Sequence, residues 1–207
     1  MTNRQIDILT RADRDLITAI VPPHAHVLDL GCCDGGLLRE LVEKKQVIGR
    51  GVEINEDNLI QCMERGLFVC QGDLDQGLSD YPDKSFDYVI LNQTLQVIRR
   101  PEVILSEMLR VGKYGIVGFP NFGNWYVRTN FFFSGRMPKT SALPFEWYDT
   151  PNIHQLTIRD FKDFCRREGV SIIREEYYML GKWHHSSFLN PLANLLAVTG
   201  MFVISEK

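Results

Sequence analysis

The sequence has no apolar run approaching the roughly 20 residues that a membrane-spanning helix needs. The nearest, Phe188 to Ile204, is interrupted by Asn190, Pro191, Asn194 and Gly200. The stretch from Met1 to Ala19 alternates charged and apolar positions and lacks the continuous apolar core of a secretory signal. Its five cysteines, Cys32, Cys33, Cys62, Cys70 and Cys165, are odd in number and contain no CxxC pair. That argues against a disulfide framework and against zinc, which needs about four converging ligands. No long run of one charge sign exists and the net charge is -3, so there is no electrostatic reason to expect nucleic acid or an anionic membrane as partner. Neither an internal repeat nor a low-complexity tract is present. What these absences leave is a cytoplasmic chain with reduced thiols, whose 207 residues and 44% hydrophobic content suffice for one domain around one core.

What is present is alternation. Ile6, Leu9, Asp13, Leu16, Ile17 and Ile20 recur at three- and four-residue steps, with one polar exception, and predict a leading helix that stops before Pro22-Pro23. HVLDL then reads as a short buried strand, and Leu37, Leu38, Leu41 and Val42 mark the inner face of a helix starting at the glycines. Strands follow at VIGRGVE, LFVCQ, FDYVILN and YGIVGF, with helices over about 55–65 and 102–110. Strands alternating with helices predict right-handed crossovers and a mostly parallel sheet covered on both faces. Thr157 opens TIRD, a capping-box-like start to another helix, and SIIREEYYML and MFVISEK supply two last strands. Between these two, 181–200 is open to an antiparallel pair or a crossover.

The chemistry concentrates in LDLGCCDGGLL. In an open parallel sheet, ligands bind beyond the carboxyl ends of the strands where strand order reverses, and the first turn is the natural place. Gly31 and Gly35 permit close backbone approach, and the amides at the next helix start face a negatively charged ligand group. Two spacings compete: Gly31-Cys33-Gly36 for a dinucleotide, and Asp29-x-Gly31-x-Cys33-x-Gly35 for adenosylmethionine. Glu53, closing the second strand, suits a ribose in either. Asp29 favours the second, because a carboxylate before the turn can meet a methionine amino group. Asp73 and Leu74 after the third strand add an acceptor and an amide for an adenine ring.

At this point the chain resembles a class I S-adenosylmethionine-dependent methyltransferase, through VLDLGCCDGG, GVEI, GDLD and SFDYVILNQTLQVI. More closely, RVGKYGIVGFPNFGNW and GRMPKTSALPFEWYDTPNIHQLTIRDF are similar to the MetW family of methionine biosynthesis. The resemblance implies an α/β fold of three layers, Rossmann-like, whose mostly parallel seven-stranded sheet has its last strand antiparallel. It implies S-adenosylmethionine or S-adenosylhomocysteine as ligand: Asp29, Gly31 and Gly35 on the methionine part, Glu53 on the ribose, Ile54 on the adenine face, Asp73 and Leu74 on the adenine edge, and Asn92 lining the site. It also implies a homoserine O-acyltransferase as working partner, with this chain as its accessory. The alternative is an active methyltransferase of an unidentified small molecule, and a nicotinamide oxidoreductase ranks behind both. The departure is Cys33, where the motif usually has glycine; a left-handed backbone there costs about 1–2 kcal/mol with a side chain.

Three further features stand outside the motif. The cysteine pair reads as small apolar lining of the turn, not as redox or metal chemistry. His154 is the one candidate catalytic base, against a structural hydrogen bond, and His184-His185 read as a solvent-facing loop and not as a metal site. Of 3 Trp, 7 Tyr and 12 Phe, ten fall between Phe119 and Tyr148. A contiguous FFF there is more apolar than one buried helical stripe needs, so 119–151 is expected to form an aromatic-rich insertion that serves as a lid or a partner surface.

Overall fold

The computed structural model describes residues 3–185 and 190–207. The leading helix α1 spans Asn3–Ile20 and gives way to β1, His26–Leu30. Then come α2 (Gly36–Lys45), β2 (Ile48–Glu53), α3 (Glu56–Glu64), β3 (Val69–Gln71), β4 (Phe86–Asn92), α4 (Pro101–Val111) and β5 (Gly112–Pro120). The second half holds α5 (Trp125–Ser134), α6 (Ile158–Arg167), β6 (Ser171–Met179), β7 (Lys182–His185), α7 (Asn190–Leu196) and β8 (Thr199–Ser205). The strands form one eight-stranded sheet in the order β3-β2-β1-β4-β5-β8-β6-β7. From β3 to β5 every pair is parallel, while β8 runs antiparallel between β5 and β6.

The seven expected strands are therefore joined by an eighth. β7 hairpins back onto the edge of β6, pairing Met179 with Lys182 and Glu176 with His185. This occupies part of the connection left open by the sequence, and α7 and the entry of β8 occupy its end. His184 and His185, expected in a loop, lie on this strand instead; His185 Nδ1 stands 2.9 Å from Glu176 Oε1. Among the described residues no helix is long and apolar enough to cross a membrane, and no group of three or more His, Cys, Asp or Glu side chains converges as a metal site would require.

The period-2 alternation of each strand separates two apolar layers. Leu28, Leu30, Val89, Leu91, Val117 and Phe119 face Ile104, Leu105 and Met108 of α4 and Ile158 and Phe161 of α6. Val27, Ile90 and Ile116 face Ile17 of α1 and Leu37 and Leu41 of α2. The first layer centres on Phe119, Phe161 and Phe202, with ring centroids 4.9 to 5.7 Å apart, a packing in which aromatic pairs add to their area burial. The α6 start is a capping box, in which Thr157 and Asp160 each accept from the other's backbone amide, as TIRD predicts. Strand order reverses between β1 and β4, since β2 lies to one side of β1 and β4 to the other. The crevice beyond the carboxyl ends of these two strands is the structural position of a ligand site in such sheets.

Candidate functional site

The turn after β1 is held to β2 by main-chain bonds: the amides of Gly31 and Cys32 donate to Val52 O at 2.8 and 3.2 Å. Gly31, Cys33 and Gly35 all have left-handed φ, of 71°, 50° and 73°. The condition attached to Cys33 is thus met. A non-glycine residue occupies αL there, at a cost of about 1–2 kcal/mol, and its amide donates to Glu53 Oε2 at 2.8 Å. The two glycines have different reasons to be glycine. A Cβ on Gly31 would stand 2.8 Å from the Thr94 side chain, at the mouth of the crevice; one on Gly35 would strike Leu67 and lie 2.9 Å from Cys62 Sγ, between α2 and α3.

Glu53 is buried at the end of β2 and its carboxylate is fixed on three amides, those of Cys33, Ile54 and Asn55, at 2.8, 2.9 and 2.9 Å. A carboxylate offers about four lone-pair positions, so one remains for a ligand. Asp29, one residue inside β1, is 3% exposed and accepts no hydrogen bond from any described residue. Burial raises its pKa to about 7; the Arg14 charge pulls it down and the Glu53 charge pushes it further up. Cys32 is buried with Cys62 and Val69, and its thiol is pushed far above the ordinary range by burial and then by Asp29. It is therefore a neutral thiol at physiological pH, which fits lining better than nucleophilic chemistry.

A cavity of about 290 Å³ opens at this crevice. Its walls include Gly31, Cys33, Glu53, Ile54, Asp73, Leu74, Asp75, Gln93, Thr94 and Val97. Five of the eight residues expected to hold the ligand are thus brought together: Gly31, Glu53, Ile54, Asp73 and Leu74. Asp29, Gly35 and Asn92 do not form its lining. Asp73 also caps the 3-10 turn Leu74–Gln76, accepting from the Asp75 amide at 3.0 Å. His154 is elsewhere. It lines a separate groove of about 390 Å³ with Leu95, Leu105, Phe161 and Phe164; its amide donates to Gln96 O at 3.0 Å, and its Nε2 is buried without a partner among the described residues.

Several groups at the crevice were not among the expected residues. Gln93 and Thr94 follow β4 directly and line the cavity. Asp13 reaches the same strand end from α1, where Oδ2 accepts from Gln93 Nε2 at 3.1 Å and Asn92 Nδ2 at 3.4 Å. It is 1% exposed, and burial raises its pKa to about 7 against those two hydrogen bonds. Asp13 Oδ1 and Asn92 Oδ1 are both buried without partners among the described residues. Its neighbour Arg14 lies over Gly36, whose added Cβ would strike the guanidinium. The signal for Asp13 was visible as the polar exception in an otherwise apolar helix stripe; Arg14 left none.

The aromatic segment is mostly turned outward. Phe119 belongs to the core and Phe122 is half-buried, but Trp125, Phe132, Phe133, Trp147 and Tyr148 are between 50% and 83% exposed. Only Val127 of α5 is buried. No residue of 119–151 lines the glycine-turn cavity. The chain returns from this segment at Ile153 and His154, whose amides both donate to Gln96 O, at 2.9 and 3.0 Å.

A parallel sheet reversing between β1 and β4, a glycine turn closing β1 and an acidic residue closing β2 define the class I methyltransferase fold. Solved structures agree. The chain matches a SAM-dependent methyltransferase of Thermotoga maritima, a possible histamine N-methyltransferase, with TM-score 0.71 and 17% identity over 98% of this chain and 91% of that one. It matches magnesium protoporphyrin IX methyltransferase of Synechocystis, solved with bound SAH, with TM-score 0.69 and 16% identity over 100% and 89%. At such identities the likeness establishes the fold. The family is more specific: the model of methionine biosynthesis protein MetW matches residues 11–204, and the chain belongs to the MetW family. It is 38% identical over 181 residues, 83% of its length, to the bifunctional methionine biosynthesis protein MetXA/MetW of Rhodopirellula baltica, and the match spans 29% of that protein.

Proposed function

We propose that this protein is a cytoplasmic accessory partner of a homoserine O-acyltransferase in methionine biosynthesis, and that it binds S-adenosylmethionine or S-adenosylhomocysteine at the glycine turn. The observation that carries the partnership is the relative in which MetXA and MetW are one polypeptide. We read the MetXA part as the acyltransferase, so the two activities are kept together by fusion there and by surface contact here. The exposed aromatics of α5 and of 145–148, with Arg128 and Arg136 beside them, supply the contact: large apolar side chains and Arg are what interface centres are enriched in.

The cofactor reading is supported by the chemistry of the residues present. Asp29 is a buried carboxylate to which none of the described residues donates a hydrogen bond, and an amino group would satisfy it. Glu53 keeps one lone pair toward the cavity, where a ribose hydroxyl would donate, and Ile54, Asp73 and Leu74 offer an apolar face and a polar edge for adenine. Gly31 keeps Cβ atoms out of the approach. Asn92, held by Asp13, and Gly35, packed between helices, support the walls from behind. S-adenosylmethionine supplies an electrophilic methyl group when bound; bound in a sensor it reports the downstream product of the pathway. Such reporting requires different affinities for the free and partnered forms, since a ligand with equal affinity for two states shifts neither.

The competing reading, methyl transfer to a small molecule, is favoured by the fold shared with methyltransferases. Calorimetric titration of S-adenosylmethionine into the wild type and into Glu53→Ala tests the site common to both readings: binding is expected to weaken at least tenfold, and equal heats would count against it. Gel filtration with the cognate acyltransferase tests the partnership, and its failure to co-elute at micromolar concentrations would refute it.

A further inference from the structure

The turn after β4 stands between two hollows. Gln93, Thr94 and Val97 line the glycine-turn cavity, while Leu95, from the 3-10 turn Leu95–Val97, lines the groove that holds His154. Gln93 enters this turn with a left-handed φ of 57°. It is held on two sides: its amide donates to Gly118 O at 2.8 Å and its side chain to Asp13 Oδ2 at 3.1 Å. Gln96, 5% exposed, lies behind it and bonds in both directions. Its Nε2 donates to Gln93 O at 2.8 Å. Its carbonyl accepts the amides of Ile153 and His154, where the chain comes back from the aromatic segment. The wall of the cavity and the root of that segment therefore meet on one residue.

The side-chain ends at this junction are the second, independent observation. Because Gln96 Nε2 is committed to Gln93 O, the orientation of the amide is fixed and Oε1 is its free end. That oxygen is buried without a partner among the described residues, and so is His154 Nε2. Buried polar groups are nearly always paired, and these two are complementary, since an imidazole with its proton on Nε2 donates and an amide oxygen accepts. The two residues are already joined through their main chains, and the imidazole borders a groove of about 390 Å³ that gives it room to turn.

We propose that Gln96 is the positioning residue through which an occupied cavity sets the root of the aromatic segment. The junction has two arrangements: the one described, with Gln96 Oε1 and His154 Nε2 unpaired, and a second in which the imidazole turns and donates to Oε1. A ligand against Gln93 and Thr94 pins the carbonyl that orients the Gln96 amide, and so favours the second. The segment that follows from His154 back to Trp147 and Tyr148 is then held more firmly in one pose. This rests on the proposed function and supplies its regulation: the difference in ligand affinity between the free and partnered forms, which sensing requires, is carried by one buried amide and one imidazole.

The test is a thermodynamic cycle on the full chain. The affinity for S-adenosylhomocysteine and the affinity for the cognate acyltransferase are each measured by calorimetry, alone and in the presence of the other. In the wild type each ligand is expected to change the other's affinity by the same factor, about 5- to 150-fold. Gln96→Leu and His154→Leu should bring that factor to within about twofold of unity while each separate affinity stays within about threefold. His154→Gln, whose amide still donates, should keep part of the coupling. Urea midpoints confirm that the variants fold; if Gln96→Leu does not, the two His154 variants decide. Variants that fold and couple like the wild type overturn the proposal and leave the sensing function standing, as do variants that lose ligand binding outright, which would make Gln96 a part of the ligand site. A wild type that binds both and couples neither refutes sensing itself, and a wild type that binds only one of them refutes the proposed function with it.

Discussion

Asp13→Asn should make the protein more stable, and increasingly so with pH. Burial lifts this carboxyl from the ordinary 3.8 to about 7, so the folded chain holds a proton that the unfolded chain has released. The sign follows: a group with a raised folded pKa contributes most below its unfolded pKa, and that contribution is lost as pH rises from about 4 to about 7. At about 1.4 kcal/mol per unit of pKa, the loss amounts to roughly 1.5 kcal/mol by pH 5 and roughly 4 kcal/mol by pH 8. The side chain is 1% exposed, so solvent does not discount it. An amide at this position does not titrate and keeps an oxygen for Gln93 Nε2. Urea unfolding of wild type and variant at pH 5 and pH 8 should show the stability difference growing by roughly 2–3 kcal/mol between the two. Asp29 titrates in the same range but is present in both chains and cancels in the difference. A gap that does not change with pH would refute the buried, protonated carboxyl.

Cys33→Gly should raise stability by about 1 kcal/mol, because the residue sits at φ 50° where a side chain costs about that much; an unchanged urea midpoint would speak against strain there. The same variant should bind S-adenosylmethionine more tightly if the side chain hinders approach, which calorimetry reads directly. Phe132→Asp, at a side chain 80% exposed, should leave the thermal midpoint within a degree or two and abolish co-elution with the acyltransferase. A variant that unfolds instead would return this face to the core. Gly31→Ala should weaken ligand binding and stability together, since the new methyl meets Thr94 on a left-handed backbone.

Most of the fold could be read from periodicity, because each strand of the parallel sheet carries a short apolar run and each helix a three- and four-residue stripe. β7 could not. Its four residues, Lys182 to His185, have no alternating pattern, and the turn before it is Leu180-Gly181, with both φ positive at 51° and 81°. Asn-Gly or Asp-Gly normally announces such a turn; here a 97% exposed leucine takes the first place, so nothing local signals the hairpin. The glycine turn and its acidic neighbours were legible because strand ends fix where residues such as Glu53 and Asp73 must stand. What α1 contributes was not, since Asp13 and Arg14 act on groups 79 and 22 residues away. The polar break at Asp13 showed that something needed satisfying, and only the tertiary packing showed what.

In the function proposed above, this chain serves an acyltransferase and reports an adenosyl ligand to it. The direct measurement is homoserine O-acyltransferase activity with and without the protein, across a range of S-adenosylmethionine concentrations, with S-adenosylhomocysteine formation assayed in the same mixture. The account predicts that the protein raises acyl transfer, that S-adenosylmethionine changes the extent of that effect, and that S-adenosylhomocysteine does not accumulate. Acyl transfer indifferent to the protein, with methylated product accumulating instead, would contradict it.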